Sequence, residues 1–142
     1  MIAGNLALLA TGVFSGAAVY ISVIDHPVRM SGDPAHALME WRPSYRRATV
    51  MQASLAVIGT ALALIAWKNT AARAWLHGAI CLGAIIPYTL VIMMPINSRL
   101  ADDHLDPGGN EAKVLLDRWG KLHAFRSFLG LVAFAFMLTA RL

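Results

Sequence analysis

The sequence predicts an all-α integral membrane protein. The predicted architecture is a four-transmembrane-helix bundle with a short extra helix in the first connection and a long fourth helix, in one domain (1–142). Apolar residues make up 58% of the 142 residues and charged residues only 14%, whereas a soluble domain has about 25% charged residues. The apolar residues are also grouped into runs of the length that a bilayer core of about 30 Å requires.

The first predicted span covers residues 2–24, which contain no Asp, Glu, Lys, Arg or His. A helix rises about 1.5 Å per residue, so a run of this length crosses the hydrocarbon core. We expect the helix to end at Asp25, His26 and Pro27, because proline disfavours helical geometry at the residue before it.

The first connection contains a helix-start signal. Asp33 is a favourable N-cap residue, and Pro34 suits the first helical position. The pair predicts a short helix through about Arg42, before Pro43. The second predicted span, 48–67, is again free of charge.

The third predicted span covers residues 74–96. It contains Pro87, which a membrane helix tolerates when neighbouring groups satisfy the freed backbone. Pro95 and Asn97 mark its far end. Residues 102–109 are rich in Asp, Gly and Pro, which predicts a loop.

The fourth predicted span covers residues 122–140. Its apolar part is too short to cross the bilayer alone, so the span includes Arg126 about one turn from its start. Trp119 and Arg141 bracket it in the way interface anchors do. Apolar residues at helical spacing from about Asn110 predict one long helix that continues into this span.

The distribution of Lys and Arg predicts the orientation. The first and third connections share one side of the membrane and carry Arg29, Arg42, Arg46, Arg47, Arg99, Lys113, Arg118 and Lys121. The other side carries Lys68, Arg73 and Arg141. The positive-inside rule places the two long connections in the cytoplasm and both termini outside an inner or plasma membrane. No basic stripe with interleaved aromatic residues is present, so nucleic acid is not an expected partner.

Polar residues collect at the cytoplasmic end of the predicted bundle. On the fourth helix, Trp119, His123 and Arg126 are spaced to share one face. The other members of the group are His26, Tyr45, Arg47 and Asn97. Each residue alone is explained by snorkelling, interface anchoring or capping. Their convergence at one end favours a functional site, although interfaces collect such residues in any case.

Four segments resemble a known family. They are DHPVR after the first span, YRRA before the second, PYTLVIMMPINSRL at the end of the third and WGKLHAFR into the fourth. Their order and spacing resemble the anthrone-oxygenase-like family of small four-helix membrane proteins, some of which oxidise polyketide anthrones to anthraquinones. Asp25 stands where the family more often has glutamate. The resemblance implies functional roles for His26, Arg47, Thr89, Asn97, Trp119, His123 and Arg126.

The leading hypothesis is an oxidoreductase that acts with O2 on a lipophilic aromatic, anthrone-like substrate. A general base forms a carbanion or phenolate that reduces O2 directly, so no cofactor is required. Histidine titrates near neutral pH and suits the role of base. The hypothesis assigns the base to His123 or His26 and the oxyanion contact to Arg126 or Arg47, and it counts Asn97, which orients the substrate, among the catalytic residues. The expected substrate-binding residues are Trp119, Arg47, Tyr45 and Thr89.

Two alternatives remain open from the sequence. His26 and His123 could ligate a haem or a metal between helices, as histidines do in many bundles. The polar group could instead hold helix ends together in a non-enzymatic binding or assembly protein. The sequence leaves the oligomeric state open.

Overall fold

Four long helices form the protein in a computed structural model, which describes residues 2–141. They are α1 (Ile2–Met30), α2 (Pro34–Thr70), α3 (Arg73–Ala101) and α4 (Asn110–Thr139). Each contains a stretch long and apolar enough to cross a membrane, and the protein is an integral membrane protein. The all-α prediction is confirmed, with no strand among residues 2–141. The predicted spans lie within these helices, except for Ala140 just beyond α4.

The predicted short helix of the first connection is helical but not separate. Asp33 caps it, with its Oδ1 accepting the backbone N–H of Ala35 at 3.4 Å. The helix does not end at Arg42. It runs through Pro43 to Thr70 and is continuous with the second span.

Two π turns explain why proline does not end α1 or α3. The π turn Ile21–Asp25 precedes Pro27, and the π turn Thr89–Met93 precedes Pro95. Proline lacks an N–H, and its ring clashes with the carbonyl four residues back. In both turns the residue before the proline bonds the carbonyl five residues back, which widens the helix locally. The predicted helix ends at these prolines are therefore wrong, because both helices continue past them.

Each helix packs against its neighbours in the chain, and α1 also packs against α4. Two apolar cores fill this closed arrangement. The first, here called the alanine core, lies towards the α2–α3 turn and comprises Ala7, Phe14, Ala18, Ala56, Ala63, Ala66, Trp75, Ala79, Leu82, Ile85, Ala133 and Met137. The second, here called the aromatic core, lies towards the opposite end and comprises Ala37, Leu38, Trp41, Met93, Ile96, Leu100, Leu105, Ala112, Leu116 and Trp119.

Small residues bring the helices close together around the alanine core. A Cβ atom added to Gly78 would lie 2.6 Å from Cγ of Met137 and 3.0 Å from the carbonyl oxygen of Ala133. α3 and α4 therefore touch with no room for a side chain at this position. Such close backbone approach drives helix association in a bilayer, where lipid tails are as apolar as the helices themselves.

Polar contacts fix the opposite end of α3. The guanidinium of Arg42 donates to the carbonyl oxygens of Leu100, at 3.0 Å, and Asp102, at 2.6 Å. A cation at a helix C-terminus satisfies free carbonyls and opposes the negative end of the helix dipole. Arg99 also pairs with Glu111 at 2.7 Å and so ties α3 to α4. The intervening loop was correctly predicted, since its residues form turns.

Candidate functional site

A cavity of about 180 Å³ lies between the helices beside the aromatic core. Its walls come from all four helices, and its lining is mostly apolar. A cavity of about 150 Å³ lined by apolar side chains is enough to hold benzene, so this one has room for an aromatic ring. The exposed residues of its lining all belong to α2 and α3: Ser44, Thr49, Ala53, Val57 and Leu90. The cavity therefore opens sideways between α2 and α3.

Unpartnered polar atoms surround the cavity. Within residues 2–141, the buried lining atoms that have no hydrogen-bond partner are Nε of Arg29, Nε1 of Trp41, Nε2 of Gln52, Oγ1 of Thr89, Oδ1 of Asn97, Nε1 of Trp119 and Nε of Arg126. Five of these seven atoms are N–H donors. Leaving a buried polar group unsatisfied costs about 1–3 kcal/mol. A ligand that carries oxygen acceptors would supply the missing partners.

His123 is buried in the wall of this cavity, at 2% exposure. Its ring stacks on the indole of Trp119, with centroids 4.7 Å apart and planes inclined by 27°. Its Nδ1 lies 2.9 Å from Oγ of Ser22 on α1. Its Nε2 makes no hydrogen bond with any residue in the described part of the chain. His123 therefore has one anchored nitrogen and one available nitrogen.

Aromatic rings form one wall of the cavity. Trp119 meets Trp41 edge to face, with centroids 5.7 Å apart. Trp41 in turn stacks on Tyr45 with centroids 4.5 Å apart and planes inclined by only 7°. Trp119 and Tyr45 were predicted as site residues, and the structure brings them together through Trp41. Such a wall presents indole and phenol faces and edges to a planar aromatic ligand.

Arg126 faces the bundle rather than the lipid, as its place inside a span requires. Its guanidinium lies 5.3 Å from the centroid of the Phe14 ring, in a cation–π contact. Its Nε is buried and has no hydrogen-bond partner among residues 2–141. A cation held in an apolar span has a high energetic cost and usually marks a functional position.

His26 lies outside the cavity lining, unlike the other predicted histidine. It is buried, and its Nε2 lies 3.1 Å from the carbonyl oxygen of Leu116. Its ring rests against Trp119, with centroids 5.0 Å apart. Gly120 makes this position possible, since a Cβ there would lie 2.6 Å from the imidazole. The structure therefore places His26 behind the aromatic wall.

Some of the remaining predicted residues line the cavity and others lie outside it. Asn97 and Thr89 line the cavity, and each has a buried side-chain oxygen without a hydrogen-bond partner. Arg47 is exposed and does not belong to the lining. The structure thus brings together Tyr45, Thr89, Asn97, Trp119, His123 and Arg126, and leaves His26 and Arg47 outside the cavity.

Among the lining residues that carry an unpartnered buried polar atom, three were not predicted as site residues. Gln52 is a buried amide inside the second span, and its polarity in an otherwise apolar run was the available signal. Trp41 precedes Pro43 and was assigned to the connection. Arg29 was counted among the loop cations, but its side chain is only 4% exposed and pairs with Asp25 at 2.6 Å.

Comparison with known proteins places this chain in a family. The sequence profile described as anthrone oxygenase matches residues 41–136. The chain belongs to the anthrone oxygenase family. It is similar to the anthrone oxygenase of Claviceps purpurea (strain 20.1), with 31% identity over 144 residues that cover 89% of this chain and 82% of the relative. It is also similar to the anthrone oxygenase tpcL of Aspergillus fumigatus (strain Af293), with 30% identity over 135 residues, 86% of this chain and 83% of the relative.

The family profile spans most of the cavity. The matched region begins in α2 and ends in α4, and so includes the aromatic wall, Gln52, Asn97, His123 and Arg126. Ser22, Asp25 and Arg29 of α1 precede that region. No solved structure matches the chain.

Proposed function

We propose that this anthrone oxygenase family member oxidises a lipophilic aromatic substrate of the anthrone class with O2. The relatives it resembles are named anthrone oxygenases. The observation that carries the proposal is the coincidence, in one cavity, of an aromatic wall, unpartnered N–H donors and the available Nε2 of His123. A planar ketone with phenolic oxygens matches this combination of apolar faces and polar edges.

His123 is the general base in this proposal. Its Nε2 removes a proton from the methylene carbon between two aromatic rings of the substrate. The electron pair left on the substrate reduces O2 and forms a C–O bond, and the resulting peroxide anion takes the proton back from Nε2 of His123 to give a hydroperoxide. Loss of water from the hydroperoxide gives the quinone carbonyl. Each turnover thus consumes one O2 and releases one water.

The N–H donors around the cavity stabilise the negative charge that this deprotonation creates. The charge spreads onto the ketone oxygen of the substrate, which becomes an enolate. Arg126 carries a full positive charge and has an unpartnered Nε. Gln52 and Trp119 offer neutral N–H groups to the same ligand. Donors fixed in a water-poor site are effective because they need no reorganisation when the charge forms.

The proposed reaction uses no cofactor. A haem or metal ligated by both histidines would need two available ring nitrogens that face one space. His26 lies outside the cavity lining, with its Nε2 held by the carbonyl of Leu116 and its buried Nδ1 without a hydrogen-bond partner. The two histidines therefore do not line one cavity, and a bis-histidine site there would require rearrangement. An absorption spectrum of the purified protein tests this directly, because a Soret band lost in both His26→Ala and His123→Ala would overturn the cofactor-free reaction.

Access to the cavity is proposed to be from the bilayer. The opening between α2 and α3 is lined by exposed residues such as Val57 and Leu90, which a lipid-dissolved substrate meets first. The site end carries most of the Lys and Arg, so we place it at the cytoplasmic face. Single cysteines at Asp106 and Asn69 in a Cys81→Ser background test the orientation. An impermeant maleimide applied outside the cell should label only Asn69→Cys.

Oxygen consumption with a model anthrone tests the proposed function. The wild-type protein in mild detergent should show substrate-dependent O2 uptake, and His123→Ala should lower it at least about 100-fold, the usual contribution of a general base. Asn97→Ala should lower it less. His77→Ala is the matched control, because His77 is exposed and contacts Phe136 at the opposite end.

Two outcomes would contradict the proposal. No uptake above background by a folded wild-type protein would remove this substrate class. Equal activity of wild type and His123→Ala, together with a lower melting temperature of the variant, would favour the assembly-protein alternative, in which the polar cluster only holds helix ends together.

A further inference from the structure

The proposed reaction uses only one nitrogen of His123, and the other nitrogen is held by a pair of serines. Ser22 lies in the π turn of α1, and its Oγ is 2.9 Å from Nδ1. Ser127 lies one turn beyond His123 on α4, and its Oγ is 2.8 Å from Oγ of Ser22. The separation of 3.5 Å between Oγ of Ser127 and Nδ1 is longer, so Ser22 is the direct partner of the imidazole.

The hydroxyl of Ser127 donates its proton to a backbone carbonyl oxygen. Its Oγ lies 2.9 Å from the carbonyl oxygen of Ala18 and 2.9 Å from that of His123. A carbonyl oxygen only accepts hydrogen bonds, and a serine hydroxyl has one proton to donate. Ser127 therefore donates to a backbone carbonyl, and in its contact with Ser22 it accepts.

This constraint decides the direction of the whole chain. If Ser22 donated to Nδ1 of His123, no proton would remain between the two serine oxygens at 2.8 Å. If Ser22 donates to Ser127 instead, the contact with His123 is filled by a proton on Nδ1. Only the second arrangement places a proton in both contacts of Ser22 while the proton of Ser127 stays with a carbonyl oxygen, and buried polar groups favour such satisfaction.

We infer that Ser22 and Ser127 are positioning residues that hold neutral His123 as the Nδ1–H tautomer. The lone pair is then on Nε2, the nitrogen that the proposed function assigns to proton removal from the substrate. When Nε2 takes that proton, Nδ1 keeps its proton and its bond to Ser22. The serine chain therefore remains intact in both protonation states, and no hydroxyl must turn during the reaction.

Nuclear magnetic resonance of the imidazole tests this inference independently of activity. The full-length protein is labelled with ¹⁵N,¹³C-histidine in detergent micelles at a pH where His123 is neutral. The signal lost in His123→Gln identifies the residue among the five histidines. We expect the proton of wild-type His123 on Nδ1. A proton on Nε2 would overturn the inference whether or not the protein oxidises anthrones.

Substitutions of Ser22 provide the second measurement. Ser22→Ala should shift the tautomer population away from Nδ1–H and lower kcat by about 10–100-fold, in line with the loss of other groups that orient a histidine. KM should change little, since Ser22 is not part of the cavity lining. Ser22→Thr retains a hydroxyl and should keep both the Nδ1–H tautomer and kcat close to those of the wild type.

Ser54→Ala is the matched control, because Ser54 also bonds a helix carbonyl but is exposed on α2. It should leave the tautomer and kcat unchanged. An unchanged tautomer in Ser22→Ala would contradict the inference. A Nδ1–H signal in a protein without anthrone oxidation would support the serine chain while rejecting the proposed function, so the two failures are distinguishable.

Discussion

The two halves of the bundle are packed by different means. Around the alanine core, glycines and alanines let backbones meet, and the Cβ position of Gly78 is already occupied by atoms of α4. Around the aromatic core, indole and imidazole rings hold the helices apart and leave a cavity with unpartnered donors. The close-packed half leaves no space between its helices, and the open half holds a cavity.

The difference follows from what each half offers a bilayer protein. Close packing of small side chains stabilises helices in lipid but leaves no space for a ligand. Large aromatic side chains enclose space between helices, and they have few rotamers. The two π turns both lie in the open half, where they line the cavity with Ile21, Asp25, Thr89 and Met93. Substitutions in one half should therefore change catalysis, and substitutions in the other should change stability.

The largest expected effect is on catalysis in the open half. Arg126→Met should lower kcat by about 10²–10³-fold, the usual result of removing a donor that stabilises an oxyanion. Arg47→Met removes the same charge from an exposed position of α2 and should stay within about twofold of wild type. O2 uptake with a model anthrone measures both variants. Equal losses would show that Arg126 acts only through net charge.

The second effect is on stability in the close-packed half. Gly78→Ala places a methyl group against a carbonyl oxygen of α4, so we expect unfolding in mixed micelles to become easier by about 1–3 kcal/mol. The kcat of the folded fraction should be unchanged. Gly16→Ala is the control, since nothing lies within 4 Å of its Cβ position. A lower kcat of Gly78→Ala with unchanged stability would show that the two halves do not separate catalysis from stability.

The third effect concerns entry to the cavity. Val57→Trp places a large ring at the opening between α2 and α3 and should raise KM about tenfold, or about 1.4 kcal/mol, while kcat stays constant. Ile58→Trp adds the same ring to the neighbouring exposed residue, which does not line the cavity. If both variants had the same KM, the substrate would enter by another route.

The smallest effect is at the loop beyond the open half. The pKa of Asp102 lies below its ordinary value, chiefly because the backbone N–H of His104 donates to the carboxylate, with further help from the His104 ring and Arg99. A carboxylate with a lowered pKa adds stability above its unfolded pKa, and this stability is lost as the pH falls through the folded value. Asp102→Asn should therefore weaken the dependence of the melting temperature on pH below about pH 4. If the melting temperature of the variant fell with pH as it does in the wild type, the Asp102 carboxylate would contribute nothing to stability.

Several polar residues of the candidate site were predictable because membrane insertion restricts where polar residues are placed. His123, Asn97 and Arg126 stand out in the sequence because each is polar within or beside an apolar run. Gln52 was missed although the same reasoning applies to it. His26 and Arg47 show the limit of that reasoning, because a position near a helix end leaves the direction of the side chain open.

Helix ends were less predictable than helix existence. Proline at positions 27, 43 and 95 was interpreted as a boundary, yet all three lie inside helices. Two of them are accommodated by π turns, whose widened hydrogen bonding depends on backbone geometry. Composition and periodicity carry no signal for that geometry beyond the proline itself.

The sequence by itself determined that this is a four-helix membrane protein with its polar residues at one end. The physical reason is that lipid excludes unpaired charge and requires long apolar helices. Only the tertiary structure decided which polar groups share a cavity, that His26 lies behind Trp119 while His123 faces the open space, and that two serines reach the inner nitrogen of His123. Those facts depend on the rotation and separation of helices, which are set by contacts between residues far apart in the chain.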